Sequence, residues 1–154
     1  MWDWQYPVPA FTFKVELAGD DSETSFQEVS GLETRLEVEQ YKAGGENNII
    51  YQLPVRTTYQ PLVLKRGVSS LGSTFIQWAN QCMLEETNLH SGFGDNLKDL
   101  TIHLMAPGNP DEPLLTWQFL RAFPVKWNLS NFHSQQNALA IETIEIVYQK
   151  MTRS

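Results

Sequence analysis

From Leu32 to Glu39 the side chains alternate without a slip, Leu32, Thr34, Leu36 and Val38 against Glu33, Arg35, Glu37 and Glu39. A period of two puts successive side chains on opposite faces of an extended strand; a helix cannot sort them that way. The pattern stops at Lys42, Ala43, Gly44 and Gly45, where the glycines supply a hinge. A chain that carries such segments has to build sheets, and one wall of this strand has to face water or another charged surface.

The same period recurs elsewhere. Residues 10–17 set Phe11, Phe13, Val15 and Leu17 against Thr12, Lys14 and Glu16, and a turn follows at residues 19–22. A second strand region opens near Phe26, breaks at Ser30-Gly31 and resumes to Tyr41; a glycine inside a strand pattern marks a bulge or a close backbone approach. Residues 61–67 and 99–105 read as strands, and residues 106–113 as a Pro/Gly/Asn/Asp turn. Residues 114–123 form a strand with Leu115, Trp117, Phe119 and Arg121 on one side, ended by Pro124, and residues 125–129 form a further short strand. Residues 138–150 close the pattern with two largely apolar faces, interrupted at Glu142 and Glu145, and so should be covered on both sides.

Two segments depart from this rhythm. Residues 42–59 read as a long loop or a protruding hairpin, whose Ile49, Ile50, Tyr51 and Leu53 argue against disorder. Residues 74–90 predict the helix: Thr74 and Gln77 have capping-box spacing, Phe75, Ala79, Cys82 and Met83 share a face, and Trp78 lies beside it. The expected fold is therefore mainly β, a single domain over residues 1–154, built as a two-sheet sandwich or barrel with one flanking α-helix. Trp78, Trp117 and Trp127 sit in periodic segments and are expected in the core.

Composition narrows the function. The chain has 154 residues, 42% hydrophobic and 19% charged, which is ordinary for a globular domain. A net charge of −7 argues against a nucleic-acid face and against adsorption to an anionic membrane. No apolar run is long enough to span a bilayer, and residues 1–11 lack the basic and apolar regions of a secretion signal. One cysteine, Cys82, excludes an internal disulfide; its place on the apolar side of the helix reads as packing. His90, His103 and His133 lack the short spacings of zinc sites, and no nucleophile elbow, phosphate loop or dinucleotide fingerprint occurs. Asp20-Asp21 and Asp111-Glu112 lie in turn segments, where acids serve the backbone. No cofactor, no metal and no catalysis are expected.

The residues also carry a resemblance. YPVPAFTFKVEL, then FQEVSGLE, then the Glu-rich strand into EQYKAGGEN, resemble the inner tube proteins of contractile phage tails and related bacterial contractile injection systems. LVLKRG, the Trp-bearing helix, DLTIHLMAPG, LTWQFLRAFPVKW and ALAIETIEIVYQ follow in the family's order, so the resemblance spans nearly the whole chain. The aromatic start, Trp2, Trp4 and Tyr6, departs from it.

What the resemblance implies is a subunit that assembles as a hexameric ring, the rings stacking into a hollow conduit that a contracting sheath drives into a target. The partners implied are further copies of this chain, sheath protein, baseplate or tube-initiator proteins, and cargo in the lumen, with assembly in the bacterial cytoplasm and release of a phage-tail-like particle. Glu33, Arg35, Glu37 and Glu39 become candidates for the lumen wall. Gly44, Gly45, Ile49, Ile50, Tyr51 and Leu53 become an inter-subunit loop. Lys65 and Arg66, the compact basic spot of the first half, and Trp2, Trp4 and Tyr6 become interface candidates. A specialised initiator ring at the baseplate is the alternative within the family; a monomeric β-sandwich that binds carbohydrate through its exposed aromatics is the alternative outside it.

Overall fold

The computed structural model describes residues 11–20, 22–42, 44–45, 48–67, 73–84, 96–130 and 140–154. They form ten strands and one helix: β1 (Thr12–Leu17), β2 (Glu23–Phe26), β3 (Glu28–Ser30), β4 (Thr34–Lys42), β5 (Ile50–Tyr59), β6 (Leu62–Gly67), α1 (Thr74–Leu84), β7 (Lys98–Ala106), β8 (Asn109–Leu129), β9 (Ile141–Val147) and β10 (Lys150–Arg153). Eight strands make one antiparallel sheet in the order β2-β1-β7-β8-β9-β6-β3, with β10 also on β8, while β4 and β5 form a separate two-stranded unit.

β8 is the axis of the body. At 21 residues it is long enough to belong to both halves of the sheet. β9 and β10 follow each other along it, from Leu129↔Glu142 to Phe123↔Val147 and then from Leu120↔Lys150 to Trp117↔Arg153. β7 pairs with its first part, up to Lys98↔Ala122, and β6 joins through β9. The two outermost strands, β2 and β3, are separated in sequence by Gln27 alone, whose N–H donates to the Lys65 carbonyl at 2.9 Å. The sheet's two margins are thus consecutive in the chain, and the sheet folds over on itself. Among the described residues no ladder joins β2 to β3, so the barrel stays open.

The alternating faces of the strands meet inside. Val15, Leu17, Leu62, Leu64, Leu100, Ile102, Phe119, Ile144 and Ile146 are buried, and α1 adds Phe75, Trp78 and Ala79. Each large side chain removed from water here is worth about 1.5–3 kcal/mol. Phe26 and Phe75 meet edge to face at 5.5 Å, and the Trp78 indole N–H donates to the Asn96 carbonyl at 2.8 Å. Cys82 is half-buried on the same side, with its sulfur 3.7 Å from that carbonyl.

Local departures from expectation have local causes. The helix cap is Ser73, one residue before the expected Thr74: its Oγ accepts the Ile76 N–H at 3.2 Å and its carbonyl accepts the Gln77 N–H at 3.0 Å. Residues 85–90 of the predicted helix lie outside the described residues. The turn predicted over residues 106–113 shrinks to Pro107-Gly108, with Gly108 at φ 78°, and β8 begins at Asn109. Pro124 does not end its strand; the ladder slips one residue between Pro124 and Lys126, a bulge that absorbs the missing N–H. Arg121 sits at φ 53°, where a side chain is strained, and donates its N–H to Asp99 Oδ1 at 2.9 Å. This kink falls where β8 passes from the β7 ladder to the β9 ladder.

Candidate assembly site

The segment read from sequence as a strand plus a long loop is one continuous hairpin arm. β4 and β5 pair from Thr34↔Tyr59 to Lys42↔Ile50, and the tip carries Gly44 and Gly45, the latter at φ 86°. The protruding-hairpin reading of residues 42–59 is thus the one the structure supports. Pro54 lies within β5, beside a slip of register between Glu37 and Val38. The run Val55-Arg56-Thr57-Thr58-Tyr59, rich in β-branched residues, was the sequence signal for this second strand.

Cross-strand partners share a face in an antiparallel pair. Leu36, Val38, Pro54 and Ile50 therefore lie on one face, and Arg35, Glu37, Glu39, Tyr41, Arg56, Leu53 and Tyr51 on the other. Neither face is covered by the body: Leu36 is 55% exposed, Val38 49%, Ile50 55% and Leu53 50%, and Ile49, Tyr41, Tyr51 and Val55 are exposed too. Apolar alternation here does not mark a half-buried strand. Exposed apolar side chains thus line one face and stand among charges on the other, more than a lone surface strand needs.

The charged face is nearly balanced. Arg56, which sequence reasoning passed over, pairs with Glu37, and Arg35 lies 3.6 Å from Glu33. The hydrogen bond that Arg56 donates to Glu37, together with the carboxylate's charge, pushes the guanidinium's pKa up. Glu33 precedes β4 and is exposed, as are Arg35 and Glu39, whereas Glu37 is half-covered. Three carboxylates against two guanidiniums leave this surface one net negative charge.

The arm's root is tightly fitted. Gly31, at φ 85°, lies so close to the other strand's exit that a Cβ there would stand 2.0 Å from the Pro61 carbonyl oxygen. Glu33 N–H donates back to the Gly31 carbonyl at 2.8 Å. On the β5 side, the Tyr148 hydroxyl donates to the Gln60 carbonyl at 3.0 Å, and the Tyr148 ring stands 5.5 Å from Tyr59 and 4.8 Å from the buried Phe119.

The other candidates separate. Arg66 is turned inward: Nε donates to Glu142 Oε2 at 2.9 Å, and the guanidinium lies 5.6 Å over the Phe26 ring. An interface role for Arg66 would compete with that internal pair, and Lys65 is left as the basic candidate on this strand. Trp127 corrects the core expectation, being 43% exposed. It points the same way as the buried Ile144 opposite it, and its indole N–H donates to Glu142 Oε1 at 2.7 Å. Trp2, Trp4 and Tyr6 lie outside the described residues, as do His90 and His133.

On β1 and β7, Lys14 stands 3.2 Å from Glu23, and His103 lies 2.9 Å from Thr116 Oγ1 and 3.5 Å from Glu16. The hydrogen bond from Lys14 is the first cause holding Glu23 below the usual carboxylate range. A shallow depression of about 160 Å³ lies beside them. Among the described residues no group of three or more His, Cys, Asp or Glu is placed to hold a metal ion. Asp20 accepts from the N–H and hydroxyl of Ser22, the backbone bond being the main cause of its lowered pKa.

The described residues thus form a mainly β body with an outlying hairpin that is exposed on both faces. The chain belongs to the T4-like virus tail tube protein gp19 family, which matches residues 9–152. It is thus a structural subunit of a contractile-tail type of tube. No curated protein matches by sequence. Among solved structures, a chain of the six-fold symmetrised baseplate of the anti-feeding prophage is 25% identical, with TM-score 0.70, covering 99% of this chain and 97% of that one. A chain of the sheath–tube complex of the extracellular contractile injection system PVC, in its extended state, is 24% identical, with TM-score 0.72, covering 98% and 93%. An Hcp protein shares the fold at 13% identity and TM-score 0.53, covering 94% and 91%.

Proposed function

We propose that the chain assembles into hexameric rings that stack as the hollow inner tube of a contractile particle, within a sheath and on a baseplate. The observation that carries this is the β4–β5 arm, which exposes apolar residues on both faces and gains by lying on a neighbouring copy. The likeness to chains from a six-fold symmetrised baseplate and a sheath–tube complex supports the same reading. A ring contact is heterologous, so each copy must offer two different patches; the arm is one, and Lys65 belongs to a candidate second. Trp2, Trp4 and Tyr6 are proposed to contact a neighbouring copy or a baseplate partner.

On this reading the chain does no chemistry; it encloses cargo and transmits the stroke. It assembles in the bacterial cytoplasm and leaves the cell in the finished particle. Among the described residues no helix is long and apolar enough to cross a membrane.

Electron microscopy of the purified chain tests this. Rings or tubes are expected from the wild type, and none from Ile50→Ser/Tyr51→Ser/Leu53→Ser, whose circular dichroism should remain that of a folded β protein. A wild type that stays monomeric at high concentration, alone and beside its sheath and baseplate partners, overturns the proposal.

A further inference from the structure

An arm that makes few contacts with its own body swings unless something at its base holds it. The base of this arm is held from both strands. On the β4 side the chain leaves β3 through Gly31, whose backbone is pressed against Pro61 so closely that any side chain would collide with the carbonyl. On the β5 side Tyr148 reaches in from the β9–β10 bend: its hydroxyl donates to the Gln60 carbonyl, and its ring packs on Tyr59 of the arm and Phe119 of the core. Val147 and Pro61 complete the rim of the small cleft at this junction, about 60 Å³ in volume. Phe119 is fully buried, so the Tyr148 ring ties the arm to the close-packed core.

We propose that Tyr148, with Gly31 and Pro61, forms an elbow that sets the direction of the β4–β5 arm relative to the body before any partner is engaged. Tyr148 is then a positioning residue for assembly, acting through Gln60 and Tyr59. The proposal rests on the reading of the arm as the assembly element, but its physical content, a fixed angle in the free chain, does not. An arm already aimed loses little freedom on docking, which strengthens association without adding a contact. The tolerance is narrow because the arm is long: ten residues of β5, at about 3.3 Å each, turn a small error at the root into a displacement of several ångströms at the tip.

The test is single-molecule fluorescence transfer at dilutions where copies do not meet. Dyes are placed on Gln52→Cys in the arm and Gln118→Cys in the body, in a Cys82→Ser background. The wild-type elbow should give one narrow transfer efficiency. Tyr148→Phe, which keeps the ring and loses the bond to Gln60, should broaden it, and Tyr148→Ala should broaden it further. Thermal unfolding monitored on the same variants separates aim from stability: with Tyr148→Phe the distribution should widen while the melting temperature barely moves. A broad distribution in the wild type, or one unchanged in Tyr148→Phe and Tyr148→Ala alike, overturns the elbow. Because no assembly is read, failure here leaves the tube reading intact, and a chain that keeps its angle yet forms no rings would fail that reading alone.

Discussion

Glu142 is a charge on the core face of β9, in line with Ile144 and Ile146. It is tolerated because both its oxygens are occupied, one by Arg66 and one by the Trp127 indole N–H, and because Arg66 in turn lies over Phe26. Removing one member of a buried pair strands the other. Arg66→Met is expected to cost about 3 kcal/mol, whereas Arg66→Met/Glu142→Leu should recover most of that loss. Urea denaturation of the two variants checks this, and equal losses would count against the pair as the cause. At this scale the sequence was only partly legible. Arg66 looked like a surface charge because its partner lies 76 residues away, and no periodicity encodes such a meeting. Trp127 looked like core because strand periodicity reports which way a ring points and not how far the neighbouring layer extends. The turn role expected of Asp20 is the one it has, since an Asx turn depends only on residues two apart, whereas Asp21 lies outside the described residues and Asp111 and Glu112 stand in β8.

At the scale of elements, β1, β6, β7 and the apolar face of α1 could all be read from their periods, because each buries one face on its own chain. The arm's charged strand was visible but its environment was not, since alternation looks the same whether the apolar face meets a core or another molecule. Sequence splits β8 in two at Pro124, because a proline rule does not foresee a bulge that spares the lost hydrogen bond. The joint between arm and body carries a pH signature. Burial, then the Tyr59 charge, pushes the Tyr148 phenol up to about 12 from an ordinary value near 10. The folded chain therefore holds that proton more tightly than the unfolded one. Its contribution is complete below pH 10 and is lost as pH rises toward 12. Solvent reaches part of the ring, which keeps the effect on the order of 1 kcal/mol. Chemical denaturation across this window should show the wild type weakening more than Tyr148→Phe; parallel curves would refute the assignment.

For the whole molecule, the family could be read from segment order along nearly the entire chain, although no single motif decides it. What could not be read was how the charges on the arm balance. We propose that the arm's charged face lines the channel while Leu36, Val38, Pro54 and Ile50 pack on a neighbour. The surplus then falls to Glu39, because Arg56 already answers Glu37 and Arg35 lies beside Glu33. Glu33→Gln/Glu39→Gln should leave rings unchanged in electron micrographs and increase the retention of acidic cargo in a loading assay. Loss of rings instead would assign these residues to the contact between copies. The single residue Gln27, standing between the sheet's two outermost strands, has a further consequence. Because β2 closes on β1 and β3 closes on β6, ordering either border carries the next strand to within one residue of its own partner. The two borders are therefore expected to melt together, and amide hydrogen exchange that protects β2 and β3 equally would show it.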